Sequence, residues 1–380
     1  MPNNITNRIV AETGIPRLFE VLTEELSASD LQSLLLAVYK SRVRPMREPG
    51  VLARADGSTL VVPSSVDARL LNVVDREAYA AATGFEAVEL SPVCPLGTQQ
   101  VLGAVDQNNV LTTTRNAEVL GDSTPALALE CARRRKVRVQ DAPEQAVRLC
   151  SSHRVVRMQP FHVAGFTPHF RLFGLVSAGR DTGSSAFEIR HFAEHIQVYL
   201  QLFRALNAAG FQLTNPLVEL SDLGMAEVLL AAKGASRDEV REIVRAHIPG
   251  SSDRFLGERN ITLPKDILDP AVELKDLVQG HGLDVQLDRL RLLKEYVVDP
   301  LREQYPEACF RFNLARLEGL GYYTGLCLRI SPTAPDGNRY PVTDGGFTDW
   351  TARLLQNKKE RLLTSGCGSE FICRRYRAVS

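Results

Sequence analysis

Arg316-Leu317-Glu318-Gly319-Leu320-Gly321-Tyr322-Tyr323-Thr324-Gly325 runs directly into Leu326-Cys327-Leu328-Arg329-Ile330. Two adjacent tyrosines set between glycines, ahead of an alternating apolar run, describe a tight turn that feeds aromatic side chains onto a sheet. Glycine lets the backbone bend or approach a ligand closely, and the phenols supply flat walls with a polar tip. The stretch reads either as a packed hairpin corner or as the wall of a pocket, and its neighbours decide between the two.

At 380 residues the chain is long enough for more than one domain with a well-buried core. Lys+Arg and Asp+Glu each number 45, so the formal net charge is +0 and no overall field draws the chain to nucleic acid or an acidic membrane surface. The seven cysteines are dispersed and contain no CxxC pair. That pattern argues against a disulfide framework or a zinc ribbon, and for reduced thiols in the cytoplasm. Met1 to Arg8 lacks the basic-then-apolar order of a signal peptide, and no apolar run approaches the length of a membrane span. A soluble intracellular protein is the expectation.

Residues 1–82 read as an N-terminal extension with its own structure. Ser27-Ala28-Ser29-Asp30 caps an apolar-periodic run through Leu31, Leu34, Leu35 and Val38, which predicts a helix. Arg42, Arg44, Arg47 and Arg54 cluster around Pro45 and Pro49 and read as a solvated loop rather than a phosphate-binding arm. Asp56-Gly57 between Val51-Leu52-Ala53 and Leu60-Val61-Val62 predicts a hairpin. From 83 to 212 the texture is α/β. Strands are expected at Phe85–Pro92, Val110–Thr114, His153–Gln159 and His169–Val176, the last two flanking a loop with Pro160 and Gly165. Asp122-Ser123-Thr124-Pro125 opens a helix, and Ile189 to Phe203 marks a long amphipathic one. Residues 213–308 read as a helical insertion with helices near 229–232, 238–247 and 287–298, the last stopped by Pro300. From 309 to 380 the strand texture resumes, through Cys309–Leu314, the tyrosine turn and the Gly-rich segment ending in Arg375.

In that order, these features resemble the class II aminoacyl-tRNA synthetase catalytic domain. Within it they are most similar to histidyl-tRNA synthetase and its paralogue, the regulatory subunit of ATP phosphoribosyltransferase. Both carry an Arg-Gly-Leu-Asp-Tyr-Tyr-Thr-Gly-like element where this chain has Glu318 to Gly325. The resemblance spans about residues 84–377. It implies an α+β fold, an antiparallel mixed sheet flanked by helices, with ATP and Mg2+ as cofactors. Arg157 would grip the α-phosphate, with Arg154 as the alternative, and Gln159, His169 and Phe170 would frame the adenine. Arg375, preceded by Gly368, would serve the γ-phosphate side. Asp122 and Thr124 would contact substrate, with Tyr322 and Tyr323 as walls.

The departures matter as much. Leu172 and Val176 stand where the resemblance expects a glutamine and a glutamate to hold an ammonium group, and a buried cation without such partners is expensive. Glu318 stands where the resemblance expects a catalytic arginine, a reversal of charge. Both argue against histidine activation. No anticodon-binding domain is expected after Ser380, which argues against ordinary tRNA charging. His191-Phe192-Ala193-Glu194-His195 has the spacing of an inverted zinc-protease motif, but Ile189, Phe192, Ile196 and Phe203 form the buried stripe and place the histidines on a solvated or partly buried flank. No protein-ligated metal is expected. In the 340–350 loop, Phe347 and Trp350 bring aromatics near the pocket, while Asp344 and Asp349 would face a cation or hydroxyl.

Two functions of different class follow. One is an ATP-dependent ligase that activates a small carboxylic or amino acid as its adenylate, with Arg157, Arg375 and Glu318 at the catalytic centre. The other is a non-catalytic sensor that binds a small ligand and regulates a phosphoribosyltransferase catalytic subunit. A homodimer is implied by the resemblance in either case.

Overall fold

The computed structural model describes residues 4–141, 144–159, 167–245 and 251–377. Pro160, Gly165, His247 and the start of the 249–253 loop lie outside the described residues. The fold is α+β. Its strands are β1 (Glu86–Ala87), β2 (Val93–Pro95), β3 (Ala117–Val119), β4 (Val147–Val156), β5 (His169–Arg180), β6 (Thr214–Asp222), β7 (Cys309–Phe312), β8 (Leu326–Thr333), β9 (Thr343–Thr348) and β10 (Glu360–Cys367). Eight of them form one mixed sheet in the order β1-β4-β5-β10-β9-β8-β6-β7, parallel at its two outer pairs and antiparallel between, while β2 and β3 pair separately.

Successive side chains of a strand point to opposite faces. On β5, Phe173, Leu175 and Ser177 point back and Phe170, Leu172, Gly174 and Val176 point forward. Helices Ala68–Ala81, Ala186–Ala208 and Ser369–Arg375 cover the back, where Phe173, Phe192, Ile196, Tyr199, Phe203 and Tyr376 join the main core. On the front, helix Ser123–Asp141 covers only the ends of β4, β5 and β10, over Val147, Leu149, Val176 and Leu362. The tyrosine turn covers part of the remaining front face, where Tyr323 rests on Gly346, and Leu172, Gly366 and Asp344 stay partly exposed there.

Several sequence expectations need correction. The hairpin expected at 51–62 is a helix over Glu48–Asp56, because Pro49 falls in the first helical turn behind an acidic residue, and Gly57 closes the helix. Val110–Thr114 contributes a single bridge, Thr112 to Glu118, and the strand there is β3. The 85–92 strand shrinks to β1. The span from 213 begins with β6, a sheet strand that tolerates Pro216 because its register against β8 shifts between Thr214 and Leu217. Pro300 does not end its helix. A wide π turn over Lys294–Val298 leads into Asp299–Gln304, where proline sits in the first turn and its missing N–H is harmless.

His191 and His195 are both buried, not solvated, since the long helix is packed nearly all round. His195 bridges the sheet's back face, Nε2 with Ser177 Oγ at 3.0 Å and Nδ1 with Ser365 Oγ at 2.7 Å, while His191 Nδ1 meets Glu194 at 2.7 Å. These partners leave no metal-facing pair. Burial holds His195 down to about 3, so it stays neutral while the unfolded chain takes a proton below the ordinary histidine value of 6.5. Its effect on stability is therefore constant above pH 6.5 and turns destabilising as pH falls toward 3. Glu194 acts in the same sense: burial raises its value, but the His191 and Arg190 hydrogen bonds and Arg148 outweigh it and bring it to about 2 from 4.5, so its contribution is lost between those values. Urea midpoints are expected to fall from pH 6.5 to 4, and His195→Gln to flatten the upper part of that slope. Equal slopes in the two proteins would contradict this account.

Candidate functional site

The tyrosine turn lies directly on the front of the sheet because the strand beneath it has no side chains in the way. A Cβ at Gly346 would sit 2.7 Å from the Tyr323 ring and 2.8 Å from Cys327. Gly319 and Gly321 take positive φ of 101° and 87°, which lets the chain reverse between Leu317 and Tyr322. The Tyr322 ring stands edge-on to Tyr323 at 4.9 Å and to Trp350 at 5.2 Å.

On the other side of the open face, Asp122 caps helix Ser123–Asp141 by accepting from the Thr124 N–H at 2.8 Å. The Thr124 hydroxyl reaches both Asp122, at 3.0 Å, and the Tyr322 hydroxyl, at 3.3 Å. This contact joins the cap to the tyrosine turn across 198 residues of chain. A Cβ at Gly174 would lie 2.8 Å from Ser123 Oγ, so the helix start also rests on a glycine.

Arg157 follows β4 and projects to this face. Its Nε donates to the Gly121 carbonyl at 2.8 Å, its terminal nitrogen is 3.5 Å from Asp122, and its guanidinium lies over the Phe170 ring at 5.2 Å. Gln159 follows two residues later, half-buried beyond the strand end. Asp122, Thr124, Arg157, Phe170 and Tyr322 are thus brought together.

Further along the face, register aligns Gly174, Gly366, Asp344, Arg329 and Glu219 across five strands. Asp344 accepts from Arg316 and, at 2.8 Å, from the Tyr323 hydroxyl, and lies 3.7 Å from Arg329, which in turn faces Glu318 at 3.4 Å. Arg316 is buried and also donates to Cys327 Sγ at 3.5 Å. Burial alone would lower its affinity for a proton, but the adjacent Asp344 carboxylate more than offsets that, and the guanidinium is held charged. Burial together with Asp344 pushes the Tyr323 hydroxyl well above its ordinary value, and burial does the same for Tyr322, so both are neutral donors at physiological pH. The site floor is a closed set of two cations and two anions capped by a phenol.

The structure separates other expected residues from this group. Arg154 pairs in register with Arg171 on the back-facing side and meets Glu370 at 3.2 Å, so it stands apart from the front-face group. His169 also faces back. Its Nδ1 accepts from Arg154 at 2.9 Å, which makes Nε2–H the donor to the Val62 carbonyl at 2.7 Å. Gly368 sits where β10 passes into helix Ser369–Arg375, donating its N–H to Val342 at 3.0 Å. Arg375 rides that back helix, with its guanidinium 5.2 Å from the Tyr340 ring rather than beside Arg157. Val176 is buried under helix Ser123–Asp141, and Leu172 remains half-exposed next to Gly366. Phe347 faces back, against Phe187 and Phe192, and only Trp350 reaches the pocket side. Asp349 pairs with Arg353 at 3.0 Å. Arg316 and Arg329 are not among the residues expected at the site, although both stand in the glycine-tyrosine stretch and the strand that follows it. Their charge within an otherwise apolar run was the available signal.

Comparison with known proteins supplies a fold and no closer relation. No protein-family model and no curated protein matches the chain. Among solved structures, it is similar to an ATP phosphoribosyltransferase regulatory subunit/histidyl-tRNA synthetase from Bacillus halodurans C, with TM-score 0.60 and 14% identity over 82% of each chain. A histidine–tRNA ligase subunit from Alicyclobacillus acidocaldarius gives TM-score 0.61 and 15% identity over 82% of this chain and 94% of that one. The histidyl-tRNA synthetase of Nostoc sp. PCC 7120 gives TM-score 0.59 and 18% identity over 83% and 74%. The chain has the class II synthetase-like fold of these histidyl-tRNA synthetase-like proteins.

Proposed function

We propose that this chain is a non-catalytic paralogue of the synthetase catalytic domain, a small-molecule sensor that regulates a partner enzyme. The observation that supports this reading is the separation of Arg157 from Arg375. An adenylating site stabilises charge at both ends of a bent triphosphate, whereas here one arginine is on the front face and the other rides the back helix. The residues fit the adenine and α-phosphate end of ATP, through Phe170 and Arg157, and do not fit its far end. The ligand site is the open front face. Arg157 would take an anionic group as a fork, Thr124 and Tyr322 would supply hydroxyls, and Leu172 would turn away an ammonium group. A small carboxylate or phosphate-bearing metabolite suits this set better than histidine.

The partner we assign is an ATP phosphoribosyltransferase catalytic subunit, carried over from the description of the Bacillus halodurans neighbour. Copurification of the two and a change in phosphoribosyltransferase activity are the expected results. Failure to copurify or to alter that activity would overturn the assignment.

The second reading, an adenylate-forming ligase that uses ATP and Mg2+, draws on the stacking of Arg157 over Phe170 at 5.2 Å. Incubation with ATP, Mg2+ and a panel of carboxylic acids is expected to release no pyrophosphate. Release that Arg157→Ala abolishes would favour the ligase instead.

A further inference from the structure

We infer that the chain holds a second ligand site, for a phosphorylated sugar, in a cavity at the opposite end of the sheet from Arg157. The cavity measures about 800 Å³, within the range of small-molecule sites. It lies where β8 and β10 begin and β9 ends, with Leu326, Thr348 and Glu360 in its wall. Glu360 pairs with Arg180 at the end of β5, whereas Arg157 follows β4 beside the start of β5, so the length of a strand separates the two places. Arg289 of helix Asp284–Leu293 bounds the cavity on the insertion side, and Arg353 of helix Trp350–Leu354 bounds it on another. Asp122, Thr124, Arg157, Phe170 and Tyr322 take no part in its wall, although Thr324 and Gly325 at the end of the tyrosine turn do.

The hydrogen-bonding capacity left over in the wall identifies the ligand. Glu360 gives both oxygens to Arg135, Asp349 pairs with Arg353 at 3.0 Å, and Glu188 Oε1 accepts from Arg361 at 3.2 Å. Behind the wall, Asp222 holds Arg289 and Asp181 holds Arg361. With Lys358 and these partners counted, five cations meet five carboxylates and the cavity is neutral. The remaining groups are mostly donors. Among the described residues, Lys358 has no carboxylate within ion-pair distance. Arg289 spends Nε and one terminal nitrogen on Asp222, and its other terminal nitrogen stands beside Gly325. Asn357 accepts from the Lys359 N–H through Oδ1, which leaves its amide N–H groups. Gln356 takes a φ of 50°, a position after a helix where glycine is usual, so the chain keeps a side chain there against strain. Against these donors stand two buried groups without a hydrogen-bond partner among the described residues: Glu188 Oε2 and the hydroxyl of Thr348, a residue 4% exposed. Such groups are costly unless something pairs with them. Phosphate oxygens suit Lys358 and the arginines. Sugar hydroxyls suit the rest, because they donate to Glu188 and accept from Thr348 and the amides. A bare anion would leave Glu188 unmatched.

The test is calorimetric titration of the full chain with glucose 6-phosphate, ribose 5-phosphate, AMP, inorganic phosphate and ribose. At least one phosphate ester is expected to bind, with phosphate or ribose alone at least about tenfold weaker. AMP binding tighter than both sugar phosphates would identify a nucleotide as the source of the phosphorylated sugar, and the reverse order a free sugar phosphate. Lys358→Glu, at an exposed position, is expected to weaken the ester at least about tenfold. Ala352→Phe fills the cavity and is expected to block binding, while Arg157→Ala is expected to leave it unchanged. Thr348→Val should raise the melting temperature slightly by removing a buried unpartnered hydroxyl, yet weaken binding, a split that a purely structural threonine would not show. No binding of any ester at millimolar concentration, equal affinity in Lys358→Glu, or inorganic phosphate as tight as the ester would each overturn the proposal. Binding lost in Arg157→Ala and kept in Lys358→Glu would put the ester on the front face, which overturns the cavity site and leaves the sensor reading standing. Failure to find a phosphoribosyltransferase partner would overturn that reading without touching this one.

Discussion

Replacing Asp344 with alanine is expected to lower folding stability by about 3 kcal/mol, the low end for breaking a buried ion pair, since the carboxylate itself is half-exposed. The loss falls mainly on Arg316. Its side chain is 1% exposed, and among the described residues its Nε has no hydrogen-bond partner and, with Asp344 removed, its terminal nitrogens keep a hydrogen bond to the Cys327 thiol. A charged guanidinium stranded in that position has to be desolvated without compensation. Arg329 suffers less because Glu318 stays 3.4 Å away. Tyr323 loses the acceptor of its hydroxyl and with it the contact that orients the ring over Gly346. Ligand binding on the front face should weaken along with stability. Urea unfolding at neutral pH measures the first effect and calorimetry the second. The double change Arg316→Met with Asp344→Ala should recover part of the stability, because the uncompensated charge is gone. A loss below about 1 kcal/mol for the single variant would mean that Arg316 reaches water when its partner is removed.

A second large effect is expected on the opposite flank of the sheet. Arg135 and Glu360 are 0% and 1% exposed and meet as a fork, Nε at 3.0 Å and a terminal nitrogen at 2.9 Å, while Arg135 also donates to the Gln145 carbonyl at 2.9 Å. This pair ties helix Ser123–Asp141 to the start of β10 and so fixes where the Asp122 cap stands over the site. Arg135→Met leaves a carboxylate in the core and is expected to cost about 3–5 kcal/mol. Changing both residues to methionine should restore most of that loss, since apolar replacement of a whole buried pair is often neutral. Thermal melts of the single and double variants decide the matter. A single variant that melts with the wild type would show that water enters beside Glu360.

Much of the molecule was legible locally. The Ser27 and Asp122 caps accept the N–H groups that their positions foretold, and the long helix around Phe192 spans Ala186–Ala208. Failures came where one signal outvoted another. Asp56-Gly57 suggested a turn, but Glu48-Pro49 is a stronger helix start, and Gly57 serves as its stop. Pro216 hid β6, because proline normally argues against a sheet strand and only the register shift accommodates it. The two histidines looked solvated or partly buried beside charged neighbours, yet both are fully buried and serines from β5 and β10 meet His195 from across the core. No local pattern announces partners that are 18 and 170 residues distant.

The candidate site divides in the same way. The glycine-tyrosine turn, the capped helix and the strands around Arg157 follow from short-range chemistry, so their existence and order are readable along the chain. A strand's period of two also requires Arg154 and Arg157, three residues apart, to leave on opposite faces. Which face is the front depends on long-range packing, that is, on where helix Ser123–Asp141 and the tyrosine turn come to rest. The same packing sent Arg375 behind the sheet and placed Asp344 between two arginines. Side-chain direction is local, whereas burial and pairing depend on residues hundreds of positions away, and the chemistry of this site rests on the latter.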